Sequence, residues 1–321
     1  MTDPLVAVSV DLDPLPCYYR IHALGEAPRE LRDLVLRRSV PRLAELFGRH
    51  GVPATWFVVG EDLDAAAVGE PAAAAARAIL TERHAAGDEL GNHSQTHPYD
   101  LARRSPAEVA REIGDCDQAL RTITGRPIAG FRAPGYDLSP VMLAELARRG
   151  YVYDSSIYPA PGYYAAKAAV MAALRVLGRP SGAVMTNPRA LVAPTDPYRP
   201  AMAAPWRRGQ SPVVELPIAV TPWTRLPAIG TTLILAPPWL RARGLAAMRS
   251  RTLFNLELHG IDLIDAELDG IPGELVARQH DLRVPLDDKL AALDEVLAAL
   301  VAERRAVTLR EAATWVQREA A

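Results

Sequence analysis

Residues 5–13 spell LVAVSVDLD, a run of β-branched and small apolar side chains that ends in two aspartates. The run predicts a strand over residues 5–10. Because side chains alternate along a strand, Asp11 and Asp13 lie on one side together with small residues, and the valines lie on the other. Small residues suit a barrel interior, and valines suit packing against helices. Two neighbouring carboxylates repel unless a cation lies between them, so the pair indicates either a cation site or a solvated turn at the strand end.

Strand-like and helix-like segments alternate along the rest of the chain. One strong signal is Ser105-Pro106-Ala107-Glu108, which predicts an N-cap, a proline in the first turn and a capping box. Alternation at this spacing predicts parallel βαβ units. We therefore expect an α/β fold, a distorted or incomplete (β/α) barrel of about seven strands, with a doubly wound open sheet as the alternative. The later predicted strands are 54–59, 88–92, 128–132, 151–154, 213–218, 254–258 and 306–309, and the predicted helices are 39–50, 71–86, 105–124, 139–149, 286–303 and 310–319.

Residues 159–212 interrupt this alternation, because they hold many prolines and several aromatic residues. We interpret them as an insertion on the rim of the barrel and not as a separate domain. The chain, residues 1–321, is therefore expected to form a single catalytic domain.

The composition argues against several classes of protein. The chain has a formal net charge of −2, whereas a dedicated nucleic-acid binder needs a surplus of Lys and Arg. Cys17 and Cys116 give no disulfide framework, which fits a reducing compartment. The first residues lack a signal-peptide pattern, and no run of about 18 apolar residues predicts a membrane span. We expect a cytoplasmic protein without a nucleic-acid partner.

The string HSQTH, residues 93–97, follows the predicted strand 88–92. On a helical turn two imidazoles four residues apart face one way and can share a metal, although a surface or capping pair would have the same spacing. Strand C-termini of an α/β barrel converge on one face, where active sites lie. Asp13, His93 and His97 would then supply one oxygen and two nitrogens, with positions left open as in catalytic zinc sites.

Other polar residues also follow predicted strands. FRAPGY, residues 131–136, places Arg132 where it can pair with a carboxylate, or where it is an ordinary surface residue of a turn. Asp154 ends another strand and by itself predicts a cap or turn. His259, in LELHG, is either a structural histidine or, at the same barrel face, a proton-transfer group.

Taken together and in this order, these strings resemble the polysaccharide deacetylases, carbohydrate esterase family 4 or the NodB-homology family. The resemblance extends from residue 5 to about residue 262, and the H-S-x-x-H and R-x-P-G strings are its specific parts. It implies a seven-stranded NodB-type barrel and a divalent metal, zinc first, with Co²⁺, Ni²⁺ or Fe²⁺ as alternatives. It also implies these roles: Asp11 as base, Asp13, His93 and His97 as metal ligands, Arg132 orienting the base, the Tyr136 backbone N–H as oxyanion donor, Asp154 tuning the acid, and His259 as acid.

The sequence departs from the family pattern in three places. Leu12 separates the two aspartates, and this Asp-x-Asp form resembles a branch with intracellular peptidoglycan-deacetylase-like proteins and lipid-linked arabinose deformylases. The fourth motif lacks the usual Asp-Trp pair. Residues 14–26 form a long predicted loop without counterpart in the usual motif. From that loop we expect the substrate-binding residues Tyr18, Tyr19, Arg20 and His22.

We therefore expect a metal-dependent hydrolase of carbohydrate metabolism that deacetylates an acylated amino sugar or a lipid-linked glycan. The alternatives are a deformylase or cyclic amide or imide hydrolase on the same fold, and an inactive carbohydrate- or lipid-binding module. Residues 163–177 are mostly apolar, and residues 239–251 combine apolar side chains with four arginines. That mixture predicts peripheral contact with the inner face of a membrane, or else helices that pack on the core.

Overall fold

The computed structural model describes residues 4–178 and 181–319. Its strands are β1 (Leu5–Asp11), β2 (Ala54–Val58), β3 (Glu89–Asn92), β4 (Gly130–Phe131), β5 (Tyr153–Asp154), β6 (Pro200–Ala201), β7 (Ala204–Arg208), β8 (Val214–Glu215), β9 (Leu253–His259) and β10 (Arg305–Val307). Its helices are α1 (Leu15–His22), α2 (Val40–Arg49), α3 (Ala65–Val68), α4 (Glu70–Ala85), α5 (Pro106–Thr124), α6 (Pro140–Arg149), α7 (Pro161–Val176), α8 (Gly230–Leu235), α9 (Pro238–Ala247), α10 (Gly273–Val276), α11 (Leu286–Glu303) and α12 (Leu309–Glu319).

The main sheet is parallel throughout, in the order β9-β1-β2-β3-β4-β5-β8. Strand β9 pairs with all of β1 along one edge. The other edge is shared, because β2 pairs with Val8–Asp11 and β10 pairs with Leu5–Ala7. Strands β6 and β7 form a separate antiparallel hairpin. Parallel strands joined by helices confirm the predicted α/β architecture.

The two outer strands, β8 and β9, are joined by a few bonds instead of a ladder. The Asn255 side chain donates to the carbonyl oxygens of Leu216 and Pro217 at 2.9 and 3.2 Å. The backbone N–H of Ala219 donates to the carbonyl of Asn255 at 3.1 Å. The sheet therefore curves into a distorted, incompletely closed barrel, as the sequence predicts.

Helix α12 closes the N-terminal end of this barrel. Its buried residues Leu309, Ala312 and Ala313 belong to one hydrophobic cluster with Leu5 and Ala7, the small-residue side of β1. The valines of β1 lie in the larger cluster on the other side, with α2. This confirms the two-sided pattern expected for β1. With one end filled, the end at which the strands terminate is left for a site.

Two segments are more regular than their sequence predicts. The predicted loop after β1 is wrong, because residues 15–22 form α1. Residues 159–212 contain α7 and the β6–β7 hairpin, and residues 179 and 180 within them lie outside the described part. In the described part of the chain, every helix is too short or too polar to cross a membrane.

Candidate active site

The loop after β3 brings two imidazoles onto one carboxylate. The predicted helical turn over residues 93–97 is wrong: Ser94 and His97 have φ of 66° and 53°, in the left-handed region. Asn92 Oδ1 accepts a hydrogen bond from the Ser94 N–H at 2.8 Å, which stabilises the reversal. As a result, Nε2 of His93 and Nε2 of His97 each lie 3.1 Å from Asp13 Oδ1. We call Asp13, His93 and His97 the His–Asp cluster.

The other ring nitrogens of the cluster are engaged elsewhere. His93 Nδ1 lies 2.8 Å from the carbonyl oxygen of Arg132, and His97 Nδ1 lies 3.5 Å from Cys17 Sγ. A carbonyl can only accept, so it places the His93 proton on Nδ1 and leaves a lone pair on Nε2. His97 Nε2 is buried and faces Asp13 Oδ1, but not in the geometry of a hydrogen bond. Burial raises the pKa of Asp13, but the two imidazoles outweigh it and hold that pKa well below its usual range.

This donor set fits a divalent metal ion. The three ligand atoms of the His–Asp cluster lie within 4.8 Å of one another, and the residues are buried. One carboxylate oxygen and two imidazole nitrogens form a mixed set typical of catalytic zinc, and fixed outer nitrogens are typical of metal-binding histidines. Nε2 of His97 is a buried polar atom without a well-formed hydrogen bond, and such an ion would satisfy it.

Asp11, the last residue of β1, is held by a buried arginine. Arg132 Nη1 donates to Asp11 Oδ1 at 2.7 Å. The same guanidinium donates to Ser9 Oγ at 3.0 Å and to the hydroxyl and carbonyl oxygens of Ser155 at 2.8 and 2.9 Å. Its carbon lies 4.3 Å from the ring centroid of Phe57. Because each of these contacts restricts Arg132, the orientation of the Asp11 carboxylate is fixed.

A third group lies at the end of β9. Glu257 and His259 are two residues apart and share a face of the strand, with His259 Nε2 3.2 Å from Glu257 Oε1. The Tyr136 hydroxyl donates to Glu257 Oε1 at 2.7 Å and lies 2.8 Å from His259 Nε2. Burial lowers the pKa of His259, but the carboxylates of Glu257 and Asp11 outweigh it and raise that pKa to about 9. Burial, and then the Asp11 charge, raise the pKa of Glu257 to about 7.

All three groups open onto one cavity of about 440 Å³. Asp11, Asp13, His93, Tyr136 and His259 line its floor. Its walls are largely apolar and come from α1, α7 and the α8 region, with Ile21, Ala166, Val170, Met171, Ala183, Ile229 and Ile261 among the lining residues.

Residues 32–153 match the family model for polysaccharide deacetylase. This part of the chain is therefore similar to the polysaccharide deacetylases. Among curated proteins, this chain is 26% identical over 155 residues to a peptidoglycan deacetylase of Helicobacter pylori, covering 48% of this chain and 49% of the relative. It is 30% identical over 141 residues to a chitooligosaccharide deacetylase of Bradyrhizobium sp., covering 42% of this chain and 59% of the relative. The chain thus spans about half the length of the curated relatives it matches.

Two solved structures resemble this chain over nearly its whole length. A protein of Mycobacterium smegmatis described as a polysaccharide deacetylase has a TM-score of 0.60 and 18% identity, covering 98% of this chain and 90% of that chain. The Puue allantoinase has a TM-score of 0.52 and 14% identity, covering 92% of this chain and 83% of that chain. At these identities the likeness shows a shared fold and nothing about the reaction.

The structure places Asp154 differently from the family-based prediction. Its carboxylate accepts hydrogen bonds from the backbone and hydroxyl of Ser156 at 2.9 and 2.8 Å. Asp154 also stands in register with Glu215 of β8, so these two carboxyl groups are neighbours. In this chain the carboxylate next to His259 is Glu257, with Oε1 3.2 Å from His259 Nε2. The role of Asp154 in tuning the acid stays a prediction, and Glu257 is the carboxyl group that contacts His259.

The Tyr136 hydroxyl is part of the site, although the sequence predicts a role only for its backbone N–H. Its hydroxyl reaches Glu257 and His259, as described above. Its backbone N–H, the predicted oxyanion donor, donates to the Ala133 carbonyl at 3.2 Å, and Tyr136 has a φ of 62°. The oxyanion role therefore stays a prediction. It requires the Tyr136 N–H to give up its hydrogen bond to the Ala133 carbonyl and to donate to the substrate instead.

Because α1 is a helix, two of the four predicted substrate-binding residues face the cavity and the other two do not. Tyr18 and His22, four residues apart, line the cavity. Tyr19 is buried outside the cavity lining, where burial and Glu274 raise its pKa. The Arg20 guanidinium donates to Cys17 Sγ at 3.1 Å. Only Tyr18 and His22 are therefore placed to touch a substrate.

Glu257 is the functional residue that sequence reasoning missed. It lies in the same string, LELHG, as His259, and the two-residue period of a strand puts both on one face. The alternation that pairs Asp11 with Asp13 at the end of β1 therefore predicts this pair as well. Cys17 gave no such signal, because its contact with His97 depends on α1.

Proposed function

We propose that this chain hydrolyses an N-acyl amide, in the first place N-acetyl, on an amino sugar, with the help of a divalent metal ion. One observation carries the proposal: the His–Asp cluster, the Asp11–Arg132 ion pair and the Glu257–His259 pair meet at one cavity. A metal site, a fixed carboxylate and a protonated imidazole are the parts that amide hydrolysis needs. The deacetylase names of the curated relatives support the same reaction class.

The His–Asp cluster would hold the ion. Zinc is our first choice, and Co²⁺, Ni²⁺ and Fe²⁺ accept the same donors. When bound, the ion would act as a Lewis acid toward the acyl carbonyl.

We assign the general base to Asp11. Arg132 occupies Oδ1 of this carboxylate, and the other oxygen, Oδ2, lies 3.9 Å from His93 Nε2 at the edge of the His–Asp cluster. A water attacking the acyl carbon next to the cluster would thus lose its proton to Oδ2. Arg132 keeps the carboxylate from rotating away during this transfer.

We assign the general acid to His259. The neighbouring carboxylates keep its imidazole protonated at neutral pH, since they raise its pKa to about 9. Nε2 is engaged by Glu257 and Tyr136, whereas Nδ1 has no hydrogen-bond partner in the described part of the chain. Protonation of the leaving nitrogen turns a poor leaving group into a free amine. The products are an amino sugar and a small carboxylate.

The test of the proposal is release of a small carboxylate from a panel of acylated amino sugars, detected by mass spectrometry. The Asp11→Asn variant should keep the metal and the fold but lose about 10²–10⁴-fold in turnover, as for other lost proton-transfer groups. Metal content by elemental analysis is the second readout. If Asp11→Asn lost the metal instead, the roles of Asp11 and Asp13 would have to be exchanged.

The same panel separates the rival reactions. A deacetylase releases acetate and a deformylase releases formate, whereas a cyclic amide hydrolase adds water to its substrate and releases no small acid. An inactive binding module would bind an acylated sugar and leave it unchanged.

A further inference from the structure

The positive charges of this chain are concentrated in one part of the sequence. Residues 161–252 contain twelve Lys and Arg residues against two acids, Asp196 and Glu215. The whole chain has 36 basic and 38 acidic residues, so the rest holds 24 basic against 36 acidic residues. A protein with a net charge of −2 thus contains a strongly cationic segment.

The exposed apolar side chains are concentrated in the same segment. Among the described residues, twelve large apolar side chains are exposed, and ten of them lie between residues 170 and 240. Trp223 is 99% exposed and Val176 is 86% exposed, so these are protruding groups and not edges of the core. The others are Val170, Leu177, Val192, Met202, Leu226, Leu235, Trp239 and Leu240. Single exposed apolar residues are ordinary, but such a concentration is typical of an interaction surface.

Three parts of this segment lie at the catalytic end of the barrel. Helix α7 follows β5, and Lys167 and Val170 of that helix line the cavity. The turn around Trp223 follows β8. Helix α9, which begins with Trp239 and Leu240, leads from the cavity region back to the start of β9, so its first turn is nearer the catalytic end. We call these three parts, residues 161–178, 221–229 and 238–243, the rim surface.

The turn that carries Trp223 is held in place against a conformational cost. Trp223 and Arg225 have φ of 64° and 51°, in the left-handed region that residues other than glycine rarely adopt. Arg225 Nη1 donates to the carbonyls of Leu191 and Ala193 at 2.9 and 3.0 Å. The indole is therefore presented to the exterior by a braced turn.

We propose that the rim surface docks on an anionic lipid surface and brings the cavity to a substrate at that surface. Protruding tryptophan and aliphatic groups among cations match a bilayer interface, where apolar groups enter the lipid and Lys and Arg meet phosphates. A nucleic acid would use the cations but not the aliphatic groups. The second half of the proposal rests on the proposed function, and it selects an acylated amino sugar carried by a lipid.

Flotation of the full chain with vesicles tests docking without any need for turnover. We expect binding to phosphatidylcholine vesicles that contain phosphatidylglycerol, loss of that binding at high salt, and little binding to phosphatidylcholine alone. Trp223→Ala should weaken binding, and Arg175→Glu with Arg243→Glu should lower it by at least about tenfold, given the typical contribution of each cation. These two arginines are exposed and make no ion pair with another described residue.

The matched control is Arg126→Glu with Arg305→Glu, which changes two exposed arginines that precede β4 and begin β10, at the opposite end of the barrel. Equal loss of binding in this control would overturn the assignment to the rim surface. So would absence of vesicle binding, or salt-sensitive binding to a DNA duplex without vesicle binding. Vesicle binding without release of any carboxylate from a lipid-linked sugar would reject the proposed function and keep the docking surface.

Discussion

Glu257 has two partners at once, the hydroxyl of Tyr136 and the imidazole of His259. Its charge helps to raise the pKa of His259 to about 9, against the lowering effect of burial. Because a raised pKa keeps the imidazole protonated up to higher pH, activity that depends on this proton is lost as the pH rises through that value. The pH at which activity falls on the alkaline side of the pH profile therefore reports on the charge of Glu257.

Glu257→Gln should move that limb to lower pH. Without the carboxylate, burial lowers the pKa of His259 with less opposition, so activity at pH 8 should fall more than activity at pH 6. The measurement is the pH profile of kcat/KM. The control is Asp154→Asn, which changes a buried carboxyl group at the end of β5. An equal shift of the pH profile in the Asp154→Asn control would show that Asp154, and not Glu257 alone, sets the pKa of His259.

Cys17 lies on the far side of His97 from Asp13, with Sγ 3.5 Å from Nδ1. We expect Cys17→Ala to weaken metal binding by about 10–100-fold, the usual effect of losing a partner that orients a metal-binding histidine. Cys17→Ser should restore most of the affinity. Competition with a coloured chelator measures it without turnover. Cys116→Ala is the control, since Cys116 contacts the backbone of Val58 and His93 but no ligand atom of the His–Asp cluster. The same loss there would contradict the assignment.

At this scale the sequence predicts which residues meet but not how each is oriented. Asp13, His93 and Arg132 follow strands, and parallel strands bring their C-terminal ends together whatever the loops do. The left-handed φ of His97 has no strong local signal, because non-glycine residues, including histidine, adopt this conformation only in a small minority of cases. The H-x-x-x-H spacing therefore identifies the two histidines that meet, but they do not lie on the helical turn that this spacing suggests.

Among the elements, those with their own start and stop signals were predictable. Helix α5 begins after Ser105 with the expected capping box and ends at Gly125, whose φ of 65° suits glycine. Helix α1 lacks such signals, since it begins after Pro14 without a side-chain cap. Strands β4, β5 and β8 are shorter than predicted, and in this half of the barrel side chains such as Arg132 and Asn255 bond to the neighbouring backbone.

Asn255 is the clearest case of such a replacement. Asn255→Ala would remove the donor to two buried carbonyls between β8 and β9 and to Ser155 Oγ at 2.9 Å. We expect a loss of about 1–3 kcal/mol in the free energy of unfolding, the typical cost of unsatisfied buried groups. Urea unfolding measures it. Ser105→Ala, which removes one cap from α5, should cost about 1 kcal/mol, and an Asn255→Ala loss below that would show that the bridge is dispensable.

On the scale of the whole molecule, the His–Asp cluster depends on the complete fold. Asp13 follows β1 and both histidines follow β3, and these strands are not adjacent, because β2 lies between them. The unfolded chain therefore has no preformed site. A metal ion that binds only the folded chain stabilises it by about 2.7 kcal/mol at a free concentration one hundred times its dissociation constant.

Zinc should therefore raise the midpoint of thermal unfolding by several degrees, and a chelator should reverse the shift. His93→Ala combined with His97→Ala should abolish the zinc-dependent shift, because two of the three donors are gone. The control is His84→Ala combined with His280→Ala, which removes two histidines outside the cavity and should leave the shift intact. Calorimetry with and without zinc measures both. A shift that survives in the first pair, or disappears in the second, would locate the metal elsewhere and remove the basis for a metal-assisted reaction at this end of the barrel.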